Sequence, residues 1–314
     1  MTGSDILVVV PHGGIAIPRE ISLEELSTGF PLLLKNIDWY TQWLYDFRDI
    51  LGNRQLIFPF CSILLEANRD PAEIDECVPL QDIFGRPLYK SGYEPTLSMR
   101  AALSEKYLKP FHRSIEENIT AGSGLLFDGH SSITACGLAE NQIDLMNYQH
   151  TERNENPLYY CPEIVVQTYA AALRKRLPEV QVTVNATQFV KVHGHVCAAH
   201  SANFVKRTGA RAPAFIQETN EHLFLNDDGT ANVAKINRLR RAFAEALDQT
   251  IQQLQESKGA SMIDMHVSRQ NHDYDCGVQA LQSVMHYYDI DIRGDELTKA
   301  LETSEEGTSP HKMI

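Results

Sequence analysis

The chain has no long apolar run, no closely spaced cysteine pair and too few basic residues to balance its acids. Each shortage excludes something. No stretch approaches the roughly 20 apolar residues that a membrane-spanning helix needs. The N-terminal "MTGSDILVVVPHGG" lacks a basic segment, and its apolar run is too short for a signal peptide. Lys and Arg number 28 against 41 Asp and Glu, a formal net charge of -13. That balance opposes nonspecific binding to nucleic acid or to an anionic membrane. A small anionic substrate is unaffected, because a pocket can be locally positive. The six cysteines (Cys61, Cys77, Cys136, Cys161, Cys197 and Cys276) are scattered with no CxxC pair. This reads as reduced thiols in a cytoplasmic protein rather than a disulfide framework. There is no internal repeat and no low-complexity tract. The 314 residues, 43% hydrophobic and 22% charged, suffice to bury a core without disulfides or metals.

Apolar periodicity then gives an order of elements. "DILVVV" (5–10) reads as a buried strand followed by the turn Pro-His-Gly-Gly. Residues 33–47 show helical spacing. Residues 54–67 read as two strands, or one broken at Pro59. Residues 97–120 read as a helix bent at Pro110. "GLLFD" (124–128) is another buried strand. Residues 161–177 read as a helix with acid near its start and bases near its end. A strand at 180–185, a helix at 199–209 ended by Gly209, a strand at 212–219 and a long amphipathic helix at 230–257 complete the series. Strands alternating with helices predict an α/β three-layer sandwich with a mostly parallel sheet. In such sheets the site lies beyond the carboxyl ends of the strands. Three polar clusters follow strands in that way: His12, Asp128 with His130, and Glu218. After "SKGAS" the texture changes, which divides the chain into 1–257 and a small helical segment, 258–314.

Metal-assisted amide hydrolysis needs about three His, Asp or Glu ligands with one position left for water. It also needs a separate carboxylate to carry protons. His12, Asp38 and His130 could be the ligands and Glu218 the base, although spacing alone is weak support. Ordinary roles are open to each of them. His12 could cap a turn, Asp38 could be an exposed helix acid, and Asp128 could cap or support His130 rather than ligate.

"VPHGGIAIP", "NIDWYTQWLYDF", "LLEANRDP", "YLKPFHRSI", "LLFDGHSS" and "FIQETNEHLF" occur in the order found in the N-formylglutamate amidohydrolase family. Over residues 5–255 the chain resembles that family, which is similar in turn to the zinc-exopeptidase-like fold. The resemblance implies a divalent metal, zinc foremost, held by His12, by Asp38 on the helix after the first strand, and by His130. It implies Glu218 as general base and acid. Asn68 and Arg69 would grip a substrate carboxylate, which suits a bidentate guanidinium. His112 would polarise the carbonyl or touch substrate; Arg69 and His112 could equally be structural. Asp128 is expected behind His130, orienting it, with Gly129 keeping the turn between them open. The chain departs from the family at Glu221, where an arginine is common, and in "KVHGHVCAAHSANF", where an Asn and a Gly-Gly pair are expected. His193 and His195 there could pair on a metal or simply line a loop. These departures widen the implied substrate from N-formylglutamate to N-acyl amino acids and small amides.

"RQNHDYDCGVQALQSVMHYYDIDIRGDELTKAL" resembles the start of the bacteriocin-processing, papain-like cysteine peptidases. Cys276 would open a helix, which stabilises a thiolate, and Gln270 would help form an oxyanion hole. The histidine such a peptidase needs is not matched, since His311 falls elsewhere in the pattern. The segment therefore reads as a partial domain, or as a helical appendage with an inert cysteine. Two other functions follow as alternatives: a peptide-processing module using Cys276, or a noncatalytic protein binding acyl amino acids or a leader peptide. The sequence does not specify an oligomeric state.

Overall fold

All five residues of β1 (Ile6–Val10), Ile-Leu-Val-Val-Val, are buried. β-Branched side chains suit a pleated surface, and a strand apolar on both faces belongs in the middle of a sheet covered on both sides. The computed structural model describes residues 6–119, 124–133, 137–149, 158–186, 196–209, 212–259, 276–287 and 293–304. The other strands are β2 (Arg54–Ile57), β3 (Leu125–Ser132), β4 (Gln142–Met146), β5 (Tyr148–Gln149), β6 (Leu158–Tyr159), β7 (Gln181–Val184) and β8 (Ala214–Asn220). Six of them form one sheet in the order β2-β1-β3-β8-β4-β7, and β5 with β6 forms a separate ribbon. Strands β2, β1, β3 and β8 run parallel. Strand β4 is antiparallel to β8 and parallel to β7. The sheet is therefore mostly parallel, with a reversed pair at one edge.

Alternation along the strands separates two cores. Ile6, Val8, Val10, Leu125, Phe127, Ile143, Leu145 and Phe215 face one side. There they meet α7 (Glu163–Arg176) and α9 (Val233–Gly259). Leu7, Val9, Leu126, Met146 and Ile216 face the other side, toward α5 (Leu97–Leu103), α6 (Lys109–Asn118) and α8 (Val196–Thr208). Phe127 anchors the first core, with the rings of Tyr45, Phe47 and Phe215 at 5.4, 5.8 and 5.4 Å. Burying such a side chain contributes about 1.5–3 kcal/mol. Helix α9 presents Ile236, Leu239, Phe243, Leu247 and Ile251 to this core, a stripe of helical period.

Several elements differ from the sequence expectation. Residues 33–47 are not one helix: a 3-10 turn (Leu34–Asn36) and the one-turn α2 (Thr41–Leu44) flank an irregular stretch, with Tyr40 left-handed at φ 62°. Asp38 thus sits in a loop, not on a helix. The bend near Pro110 is a π-helical stretch, Ser104–Leu108, lying before the proline. Chain 54–67 does break at Pro59, after which Phe60 and Cys61 make only isolated bridges to Ala16 and Gly14. A Cβ at Gly14 would lie 2.0 Å from the Pro59 backbone, so this close approach requires glycine. The turn expected at Gly129 is absent, because β3 continues through Ser132.

Contacts divide the chain into two compact units, Met1–Leu254 and Gln255–Ile314. In the second, α10 (Cys276–Tyr287) and α11 (Gly294–Ala300) enclose a small core of Val278, Leu297 and Leu301. Cys276 is the first residue of α10. Gln270, His193, His195 and His311 lie outside the described residues. No helix among the described residues is long and apolar enough to cross a membrane. The cysteines whose side chains are described, Cys61, Cys77, Cys161 and Cys197, are buried and free.

Candidate metal centre and active site

The parallel strands β1, β3 and β8 end at one edge of the sheet. His12 follows β1 by a turn, while His130 and Glu218 are register partners on β3 and β8. Side chains of β3 alternate, so Asp128 and His130 lie on the Leu126 face while Gly129 points the other way. A Cβ on Gly129 would come within 2.6 Å of the Tyr45 ring. The glycine therefore serves close packing rather than a turn. Tyr45 in turn donates to the His130 carbonyl at 2.6 Å and lies 2.8 Å from Thr219 Oγ1. This fixes the strand end from behind.

His12, Asp38 and His130 converge: one ligand atom from each lies within 4.8 Å of the others. His130 Nδ1 is 3.3 Å from His12 Nδ1. Asp38 Oδ2 is 3.4 Å from His12 Nδ1 and 3.8 Å from His130 Nδ1. Each imidazole is held from its far nitrogen. His12 Nε2 is 2.6 Å from Glu66 Oε1, and His130 Nε2 is 3.0 Å from Asp128 Oδ1. A histidine donating Nε2–H to a carboxylate turns a bare Nδ1 the other way, the usual arrangement behind a metal ligand. Asp38 is fixed as well, since its Oδ2 accepts from Ser131 N at 2.8 Å.

Zinc–ligand distances of about 2.0–2.1 Å at tetrahedral angles place ligand atoms roughly 3.3 Å apart. Two of the three separations match that edge and the third exceeds it slightly. Two nitrogens and one carboxylate oxygen also suit zinc chemically.

The electrostatics favour a cation. Asp38, Glu66, Asp128, Asp144 and Glu218 crowd one end of the sheet. Burial alone would lower the His12 pKa, but the Glu66 and Asp38 carboxylates outweigh it and hold the imidazole well above its ordinary value. Burial opposes ionisation of Glu66, yet the His12 and Arg69 charges draw it down to about 2. Glu218 is pushed well up, first by burial, then by the Asp38 charge, with Asp128 and Asp144 adding. Its Oε2 is buried without a hydrogen-bond partner among the described residues. Glu221, on the 3-10 turn Glu221–Leu223 after β8, is raised to about 8 by burial and by Asp38.

Asn68 lies at the same centre. Its Nδ2 is 3.3 Å from His130 Nε2, and its Oδ1 accepts from Cys197 N at the start of α8. Arg69 is half-buried and donates to the Asn68 carbonyl at 3.1 Å. His112 stands apart: its recorded ring hydrogen bond is to His200, Nδ1 to Nε2 at 2.8 Å. Sequence reasoning missed Glu66, Asp144 and His200. Glu66 sits inside "LLEANRDP", where an acid closing an apolar run is the same signal that marks Asp128.

Residues 4–201, well over half of the chain, match the family model for N-formylglutamate amidohydrolase, and residues 264–314 match that for the Peptidase C39 family. N-formylglutamate deformylase of Pseudomonas aeruginosa is 27% identical over 141 residues, 40% of this chain and 51% of that protein. The Pseudomonas putida protein of the same name is 25% identical over the same shares. The chain thus spans about half the length of these relatives. Among solved structures, N-formylglutamate amidohydrolase from Ralstonia eutropha JMP134 superposes with a TM-score of 0.55 at 15% identity, covering 82% of this chain and 96% of that one. A gene product of Agrobacterium tumefaciens gives 0.56 at 15% identity, covering 80% and 92%. These two likenesses concern the fold. The chain belongs to the N-formylglutamate amidohydrolase family.

Proposed function

We propose that the unit comprising residues 1–257 is a cytoplasmic, metal-dependent amidohydrolase. Its substrate would be an N-acyl amino acid, with N-formylglutamate the first candidate. The carrying observation is the near-tetrahedral spacing of His12 Nδ1, His130 Nδ1 and Asp38 Oδ2, with a carboxylate behind each imidazole. Zinc bound there supplies Lewis acidity and acidifies water.

The rest falls to the chain. Glu66 and Asp128 keep the histidines in the Nε2–H tautomer. Glu218 Oε2, buried and unpartnered among the described residues, is the base that takes a proton from water and returns it to the leaving amine nitrogen. A dication nearby offsets the surrounding acids and brings Glu218 back into a range where it can ionise. Asn68 and Arg69 orient the substrate carboxylate.

Purified protein reconstituted with zinc should bind about one equivalent and hydrolyse members of an N-acyl amino acid panel, while His130→Ala does neither. Wild-type protein holding less than about a tenth of an equivalent after zinc addition sinks the metal assignment. Binding of panel members without turnover, with metal in place, points instead to a noncatalytic binding protein.

Residues 258–314 we read as part of a cysteine-peptidase-like domain, a reading supported by the Peptidase C39 match and by Cys276 opening α10. An active-site thiol probe that labels Cys276 no faster than the other cysteines rejects a peptidase role for this segment.

A further inference from the structure

Outside the metal centre, one chain of titratable groups crosses from solvent to the segment that carries Asn68. Glu116 on α6 is half-exposed, and its Oε1 lies 3.2 Å from His200 Nδ1 on α8. His200 Nε2 lies 2.8 Å from His112 Nδ1, back on α6. His112 Nε2 is buried and has no hydrogen-bond partner among the described residues. The backbone at Ala67 and Arg69 is near that ring, on a side that favours an added proton there. The groups facing the pair are His112 and Glu116 from α6, His200 from α8, Asp70 from the 67–72 loop and Asp128 from β3. Lys109 and Arg113 line the pocket beside His112, together with Asp70 and Glu116.

Hydrogen-bond polarity leaves few options. Glu116 as a carboxylate only accepts, so His200 Nδ1 carries a proton. With His200 neutral, its Nε2 must accept from His112 Nδ1–H, which leaves His112 Nε2 bare. One added proton changes this. It lands on His112 Nε2, and the nearby backbone of Ala67 and Arg69 favours it. The shared proton can then move from His112 Nδ1 to His200 Nε2, so that the imidazolium sits beside Glu116. No other group need move.

We propose that Glu116 and His200 are positioning residues. They fix the tautomer of His112 and hold its ring from Nδ1, against the backbone of Ala67 and Arg69 in the segment that carries Asn68 and Arg69. The two imidazoles are neutral near pH 7, since burial lowers both and the neighbouring His200 helps pull His112 down to about 4. On this account His112 presents a bare nitrogen at neutral pH and cannot donate a hydrogen bond to a substrate carbonyl. The inference rests on the active-site reading above only for its effect on turnover.

Histidine ring-nitrogen NMR on the full-length wild type tests it without turnover. The expected result is a His112 protonated on Nδ1 and bare on Nε2 at pH 7, gaining its second proton only in acid. An Nε2–H tautomer of His112 at pH 7 overturns the proposal. Kinetics supply the second arm. His200→Ala should raise KM about three- to tenfold, the cost of one neutral hydrogen bond, with a smaller change in kcat. His200→Gln, whose carbonyl can still accept from His112, should restore KM at pH 7 but shift the acid limb of the pH profile. Unchanged KM in a folded, metal-loaded His200→Ala rejects the positioning role. If no substrate is found, a shift of the Asn68 backbone amide signal in His200→Ala replaces KM, and an unmoved signal rejects it.

Discussion

Among the described residues of the first unit, two pairs of largely buried histidines have surroundings that give them opposite properties. His12 and His130 face Asp38, and each has a second carboxylate at its far nitrogen. His112 and His200 face each other, with a half-exposed Glu116 at one end. Burial is similar in both places, yet His12 is raised well above its ordinary value while His112 falls to about 4. Burial always penalises the imidazolium; only nearby anions reverse the sign. The first pair is therefore prepared for a cation and the second is kept neutral. On the proposed reading, one is a place for a metal and the other a hydrogen-bonding device.

The comparison can be broken most severely at Glu218. Glu218→Gln removes the base while leaving the histidines and their carboxylates intact. Metal content should stay near wild type and turnover should fall by about 10²–10⁴. Full activity in this variant would end the general-base assignment.

A smaller effect is expected behind the histidines. Glu66→Gln or Asp128→Asn should weaken metal binding by about 10–100-fold, measured by competition with a chelator, because the tautomer is no longer enforced. An equivalent change at Glu116 should leave metal affinity alone, which separates the two pairs directly.

Next comes pH. His12 in the metal-free protein holds both ring protons below its raised pKa, so metal uptake must expel one from Nδ1. Affinity should tighten with rising pH from neutral up to that pKa, with at least one proton released per metal in calorimetry across buffers of different ionisation enthalpy, and a second where Glu218 ionises as well. Proton release near zero at pH 7 would show that Glu66 and Asp38 do not hold His12 charged.

The mildest change is Gly129→Ala. Its methyl must displace the Tyr45 ring, at a cost of about 1–3 kcal/mol in thermal or denaturant unfolding. Gly129 points to the opposite face of β3, so the His200-linked signals should move less than those of His130.

The convergence of the candidate metal centre was legible because His12, His130 and Glu218 each follow closely on a buried apolar run. Parallel strands bring such ends together whatever their separation in sequence. Asp38 was legible as a residue but not as a loop. The apolar residues of 33–47 are spaced like a helix, yet left-handed Tyr40 and the packing of Tyr45 on Gly129 override that spacing. Strand β4 escaped notice because two of its buried residues, Gln142 and Asp144, are polar. Thr183 on β7 bonds to both of them. Glu66 was hidden because the run before it ends in turns rather than a strand. His200 carries no local signal at all; its role comes from α8 lying against α6, a contact that periodicity cannot report.

The Tyr45 ring, seated where Gly129 has no side chain, has a wider consequence. Its hydroxyl grips the His130 carbonyl from the face opposite the metal centre. Phe243 of α9 stacks on that ring, so the helical layer on this side bears on the geometry of the candidate centre on the other. Changes in that layer that tilt the ring would be read out as altered metal binding before they were read out as lost stability. A search for remote tuning sites in this protein should begin on the far side of the sheet.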